Sequence, residues 1–174
     1  EAGHALVGNL LPHSDPVQKI SIVSRGSMGG YTRFVPEEDR HLWTRDQFVS
    51  RIAVAMGGRV AEEIRVGEIT TGASNDLEQA TQIAKQMVTR FGMSSKLGPR
   101  TFGKREELVF LGREISEQKD YSEKIAEEID NEVHALLQGG YNTAYELLNN
   151  NMQKLHQIAD YLIANETVEG KALV

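Results

Sequence analysis

Between Tyr121 and Leu162 apolar residues recur at the three-and-four spacing of an α-helix, and a stripe that long points to a fold built on helices. Tyr121, Ile125, Ile129, Val133 and Leu137 share one face, and Tyr141, Ala144, Leu148, Met152, Leu155, Ala159 and Leu162 continue it. Gly139-Gly140 and Asn149-Asn150-Asn151 are the places where it is expected to break. An earlier helix opens at Thr44, where Gln47 supplies the partner for a capping box, and Gly67 stops it. Its stripe is Phe48, Ile52, Ala55, Met56 and Ile64. Gly57 and Gly58 interrupt that stripe at about 1 kcal/mol each relative to Ala, so another backbone is expected to approach closely there. A third helix is expected over 76–91, with Leu77, Ala80, Ala84, Met87, Val88 and Phe91 on one face and Gly92 as its C′ residue.

Strand signals are confined to 19–24 and 31–35, joined by the glycine-rich 26–30, and read as a hairpin. The segments 68–75 and 93–116 read as turn-rich or loop-like. The expected architecture is therefore mainly α, one domain over 1–174, with a small β-hairpin. A length of 174 residues is enough for one domain with a real core.

Composition removes several function classes. A net charge of -6 is opposite to the basic stripe a nucleic-acid surface needs. No apolar run reaches the roughly 20 residues of a membrane-spanning helix. With no cysteine, thiol nucleophiles and zinc ribbons are excluded, and any metal site must use His and carboxylates. The opening residues Glu1 to Val7 read like the middle of a helix, so the chain is expected to come from a longer protein.

Glu1-Ala2-Gly3-His4 is an E-x-x-H tetrapeptide on that helix. In the zinc-peptidase motif H-E-x-x-H, two His one turn apart present ligands on one face while the Glu faces the attacking water. Alone, E-x-x-H is weak, and a solvated Glu beside a core or surface His is the default. A second copy, Glu38-Asp39-Arg40-His41, raises a ferritin-like di-metal site, but it falls before the Thr44 helix rather than inside a bundle. Asp76 stands at the start of the third helix, where Asn75 and Asp76 suit the unpaired N–H groups of a helix N-terminus. His13, His134 and His156 have no partner at ligand spacing. Glu62 and Glu63 beside Arg59 and Arg65 read as helix-face ion pairs, and Trp43 as a packing anchor.

Taken in order, these pieces resemble the peptidase domain of the FtsH-type proteases. The matching stretches include Glu1-Ala-Gly-His-Ala-Leu-Val7, Leu11-Pro-His-Ser-Asp-Pro-Val17, Pro36-Glu-Glu-Asp-Arg40 and Gly57-Gly-Arg-Val-Ala-Glu-Glu-Ile64. They continue through Thr70-Thr-Gly-Ala-Ser-Asn-Asp-Leu77, Met93-Ser94, Leu97-Gly-Pro99, Val109-Phe-Leu-Gly112 and Asp120-Tyr-Ser122. The resemblance implies zinc, with His4 and Asp76 as metal ligands, Glu1 as catalytic base, and a first His ligand immediately before Glu1. It also implies polypeptide substrates, a homohexamer, an upstream ATP-driven AAA module, and membrane anchoring through segments preceding this chain, which would lie on the cytoplasmic side. Gly139-Gly140 departs from the uninterrupted helix formers usual in that family. The alternative is a zinc-free scaffold that assembles without cutting. An edge of the hairpin near Gly30 to Val35 is a candidate for binding substrate as an added strand.

Overall fold

A computed structural model describes residues 1–24, 29–36, 41–103 and 119–169. The Val109-Phe-Leu-Gly112 stretch, most of the 93–116 loop, Glu38 and part of the 26–30 connection lie outside the described residues.

Five helices are described: α1 (Ala2–Leu10), α2 (Arg45–Val66), α3 (Ser74–Thr89), α4 (Glu123–Asn150) and α5 (Met152–Asn165). Three short strands, β1 (Val17–Ser21), β2 (Tyr31–Phe34) and β3 (Thr167–Glu169), form an antiparallel sheet in the order β2-β1-β3. The architecture is mainly α with a small sheet, as the periodicities predict.

Local chemistry explains most boundaries. At α2, the Gln47 N–H donates to Thr44 Oγ1 at 3.3 Å and the Thr44 N–H donates to Gln47 Oε1 at 2.9 Å, so the capping box is complete. Gly67 ends the helix at φ 76°, and Gly92 turns the chain beyond α3 at φ 59°. Asn151 separates α4 from α5, with its Nδ2 donating to the Leu147 carbonyl at 2.8 Å.

Two expectations are corrected and one is extended. Gly139-Gly140 does not break the helix: α4 runs uninterrupted through both. A Cβ on Gly140 would lie 2.6 Å from Ile52 Cγ2 and 3.2 Å from the Ala53 nitrogen, so this glycine lets α4 cross α2 closely. The α3 helix begins at Ser74, not Asp76, and its N-cap Ala73 makes no side-chain cap bond. Glu63 accepts a hydrogen bond from the Tyr141 hydroxyl at 2.8 Å, a tie from α2 to α4 beyond the expected helix-face pairing. That bond to a carboxylate, helped by burial, raises the Tyr141 pKa.

α2 is the central helix. Its Ile52, Met56 and Val60 join Leu6 and Val7 of α1, Ala84, Met87 and Val88 of α3, and Ile129, Ala144 and Leu148 of α4 in the main core. A second, smaller core of Ala5, Ile20, Leu162 and Val168 joins α1 to the sheet and α5. Burying two of its faces fixes α1 in place, with Glu1 as its N-cap and His4 turned towards α2 and α3.

Candidate metal centre

The α1–α2 crossing positions His4. A Cβ on Gly57 would lie 2.8 Å from the Gly3 carbonyl oxygen and 3.1 Å from the His4 nitrogen. The backbone approach expected at Gly57-Gly58 is therefore made by α1. It carries His4 against α2, where His4 Nδ1 lies 2.8 Å from the Val54 carbonyl oxygen. A carbonyl can only accept, so Nδ1 donates to it, and Nε2 is the ring nitrogen left to face the rest of the site. Gly58 makes room for that ring: a Cβ there would fall 2.8 Å from Cε1 and 3.1 Å from Cδ2.

His4 Nε2 faces Asp76 Oδ2 at 3.3 Å. Asp76 sits in the first turn of α3, where the helix N-terminus favours a carboxylate. Its capping expectation is thus only half the account, because the side chain also reaches across the fold to His4. Two donors sharing a tetrahedral zinc, with bonds of about 2.0–2.2 Å, lie about 3.3–3.5 Å apart. The observed spacing, the orientation of Nε2 towards Asp76 and the backbone carbonyl behind Nδ1 all suit a zinc-ligating pair. Among the described residues no group of three His, Asp or Glu forms a cluster that could hold a metal.

Glu1 is the N-cap residue of α1, and its Oε2 accepts a hydrogen bond from the Thr32 hydroxyl of β2 at 2.6 Å. A Cβ on Gly30 would lie 3.1 Å from Glu1 Cγ, so this end of β2 passes directly beside the carboxylate. The contact of Thr32 with Glu1, and those of the Val54 carbonyl and Gly58 with His4, have no signal in the sequence, because each joins residues distant along the chain. His134 and His156 are exposed on helices, and His41 is exposed ahead of α2. Trp43 stacks on Phe48 with centroids 5.5 Å apart, as a packing anchor should.

Comparison with known proteins follows the same line. The family model described as Peptidase family M41 matches residues 1–174. The chain is 58% identical over 170 residues to the ATP-dependent zinc metalloprotease FtsH 1 of Thermomicrobium roseum, covering 98% of this chain and 26% of that protein. It is 57% identical over 173 residues to the FtsH 1 of Sphaerobacter thermophilus, covering 99% and 26%. It is 55% identical over 176 residues to the FtsH of Chloroflexus aggregans, covering 99% and 27%. The chain thus spans about a quarter of the length of these curated relatives. Full-length family and relative matches agree with the motif order, and the chain belongs to peptidase family M41.

Proposed function

We propose that this chain is the zinc-dependent endopeptidase domain of a longer, ATP-driven protease. The observation that carries the reading is the meeting of His4 and Asp76, from α1 and α3, at the separation of two ligands on one small cation. An intact pair of this kind argues against the zinc-free scaffold. His4 and Asp76 would hold zinc, and a His immediately before Glu1 would supply the third protein ligand. Bound zinc supplies Lewis-acid polarisation of the scissile carbonyl and lowers the pKa of water. Glu1 accepts the proton of the attacking water and passes it to the leaving amine. Thr32 holds Glu1 through its hydroxyl, and Val54 fixes the His4 ring plane.

The substrates are unfolded and membrane polypeptides, delivered by an upstream AAA module in a hexameric ring anchored to a membrane by preceding segments. The family resemblance and the naming of the relatives as ATP-dependent zinc metalloproteases support this part of the reading. No helix among the described residues is long and apolar enough to cross a membrane. Chelation of the full-length protein with phenanthroline should abolish hydrolysis of an unfolded substrate, and added zinc should restore it. Zinc content should fall well below one per chain in His4→Ala and Asp76→Ala. Full zinc occupancy in both variants would remove them as ligands.

Substrate binding follows from the sheet order. β1 is flanked by β2 and β3, so among the described strands β2 is at the edge, with Glu1 beside it. A polypeptide adding to β2 would bind through main-chain pairing, which suits an enzyme accepting many sequences. Single prolines at positions 33 and 34 remove one N–H each. The one whose N–H points away from β1 should slow degradation by about 10-fold, the loss of a main-chain bond of roughly 1.4 kcal/mol. Unchanged degradation in both folded variants would count against strand addition.

A further inference from the structure

A cavity lies beyond the meeting of His4 and Asp76. Glu1 lies beside Gly30 and Thr32, and one to two turns further along α1 Gly8 meets Phe34, so α1 and β2 run in the same direction. α2 runs the opposite way on the other wall, from Gly57 beside Gly3 to Val54 beside His4 and on towards Arg51 and Gln47. Past His4, β2, α2 and the loop after α1 border this cavity of about 250 Å³, lined by Phe34, Trp43, Arg51 and Val54 and, from the loop, by Ser14 and Asp15. Two of its walls belong to the site itself: Val54 holds His4, and Phe34 closes the edge strand that carries Thr32. Its far wall is aromatic, with Trp43 stacked on Phe48 and Phe48 on Phe91 at 5.6 Å, and the Arg51 guanidinium 5.2 Å from the Trp43 ring.

Side chains alternate along a strand, so Thr32 and Phe34 share the face towards α1. Thr32 reaches Glu1 on that face and Phe34 packs against Gly8. A peptide paired with β2 would alternate in the same way. Its side chain opposite Phe34 would then project to the cavity, two residues from the one opposite Thr32.

Resting on the peptidase reading above, we infer that this cavity is a specificity pocket for a bulky aromatic side chain of the substrate. In the antiparallel pairing, which is slightly the more stable, it receives a residue about two positions to the N-terminal side of the scissile bond. The volume accommodates a phenyl ring, and Trp43 and Phe34 provide apolar walls for it. Arg51 over the Trp43 ring and Asp15 on the loop wall bring groups of opposite charge into the lining, so the preference rests on the aromatic and apolar walls.

The test uses the full-length zinc-loaded protein and short peptides that differ only at successive positions, Phe against Ala against Lys, with cleavage points read by mass spectrometry. Phe two positions before the cleaved bond should raise kcat/KM by about 10-fold over Ala. Trp43→Ala should bring that ratio within about 2-fold while the Ala peptide is still cut, and Trp43→Phe should restore most of it. A wild-type enzyme that cuts the peptides with no preference on that side overturns the pocket and leaves the peptidase reading intact. An unchanged Phe-to-Ala ratio in Trp43→Ala also overturns it. Absence of any zinc-dependent cleavage by the wild type sinks the peptidase reading itself. Should Trp43→Ala fail to fold, Ser14→Phe, which narrows the same cavity from the loop after α1, should lower the ratio instead, and an unchanged ratio there counts equally against the pocket.

Discussion

Replacing Glu1 by Gln in the full-length protein is expected to lower proteolysis by at least about 10²-fold while zinc remains bound at the wild-type stoichiometry. The range for a lost general base is about 10²–10⁴-fold. Gln is nearly isosteric with Glu and can still accept the Thr32 hydroxyl bond through its amide oxygen, so the α1–β2 contact survives. It cannot take up a proton at neutral pH. The metal should be unaffected because the reading gives Glu1 no ligand role, and His4 and Asp76 contact each other without it. Activity is read with an unfolded protein substrate and zinc by metal analysis on the same preparation. Retained proteolysis would move the base to another group, and loss of zinc would make Glu1 a ligand instead.

This variant separates two things that the sequence presents together. The E-x-x-H spacing places His4 on a short helix, with Glu1 found at its N-cap rather than within it, but spacing cannot say what either side chain meets. His4 meets Val54 and Asp76, and Glu1 meets Thr32, each from a different element. Asp76 was the hardest to read for the same reason: its local surroundings explain a carboxylate there without any ligand role. Only the resemblance to a known family connected it to His4. In the structure the two lie 3.3 Å apart.

Local chemistry was the most legible part of the fold. The Thr44 and Gln47 capping box and the Gly67 stop are short-range signals, and both appear where the residues predict them. The third strand was missed because Thr167–Glu169 is only three residues long and pairs with β1 from the far end of the chain. That omission mattered for function, since β3 is what leaves β2, and not β1, at the edge. Gly140 was misread because a glycine in a helix looks like a weak point in one dimension. In three dimensions it is a contact with Ile52 and Ala53, and the packing of α4 on α2 outweighs the helix-propensity penalty of about 1 kcal/mol.

The neighbouring glycines 57 and 58 should give opposite phenotypes when each is changed to alanine. Both substitutions improve intrinsic helix propensity by about 1 kcal/mol, so that term cancels in the comparison. At Gly57 the added methyl meets the Gly3 carbonyl oxygen at 2.8 Å and the His4 nitrogen at 3.1 Å, both backbone atoms of α1. Neither can yield unless α1 moves away from α2 and disturbs Leu6 and Val7 in the main core. Overpacking of this kind costs about 1–3 kcal/mol, and the thermal transition of the domain should fall by roughly 2–10 °C. At Gly58 the methyl meets only the imidazole ring of His4, which can swing aside at little cost to the fold. The ring then leaves the Val54 carbonyl and no longer faces Asp76. Gly58→Ala should therefore unfold within a few degrees of wild type yet bind zinc about 10–100-fold more weakly, the range for losing the group that orients a ligating histidine. Thermal unfolding and zinc titration of the two variants, side by side, decide it. Normal zinc affinity in Gly58→Ala would mean that His4 holds the metal from a different ring position, and the 3.3 Å approach to Asp76 would no longer support a shared ion.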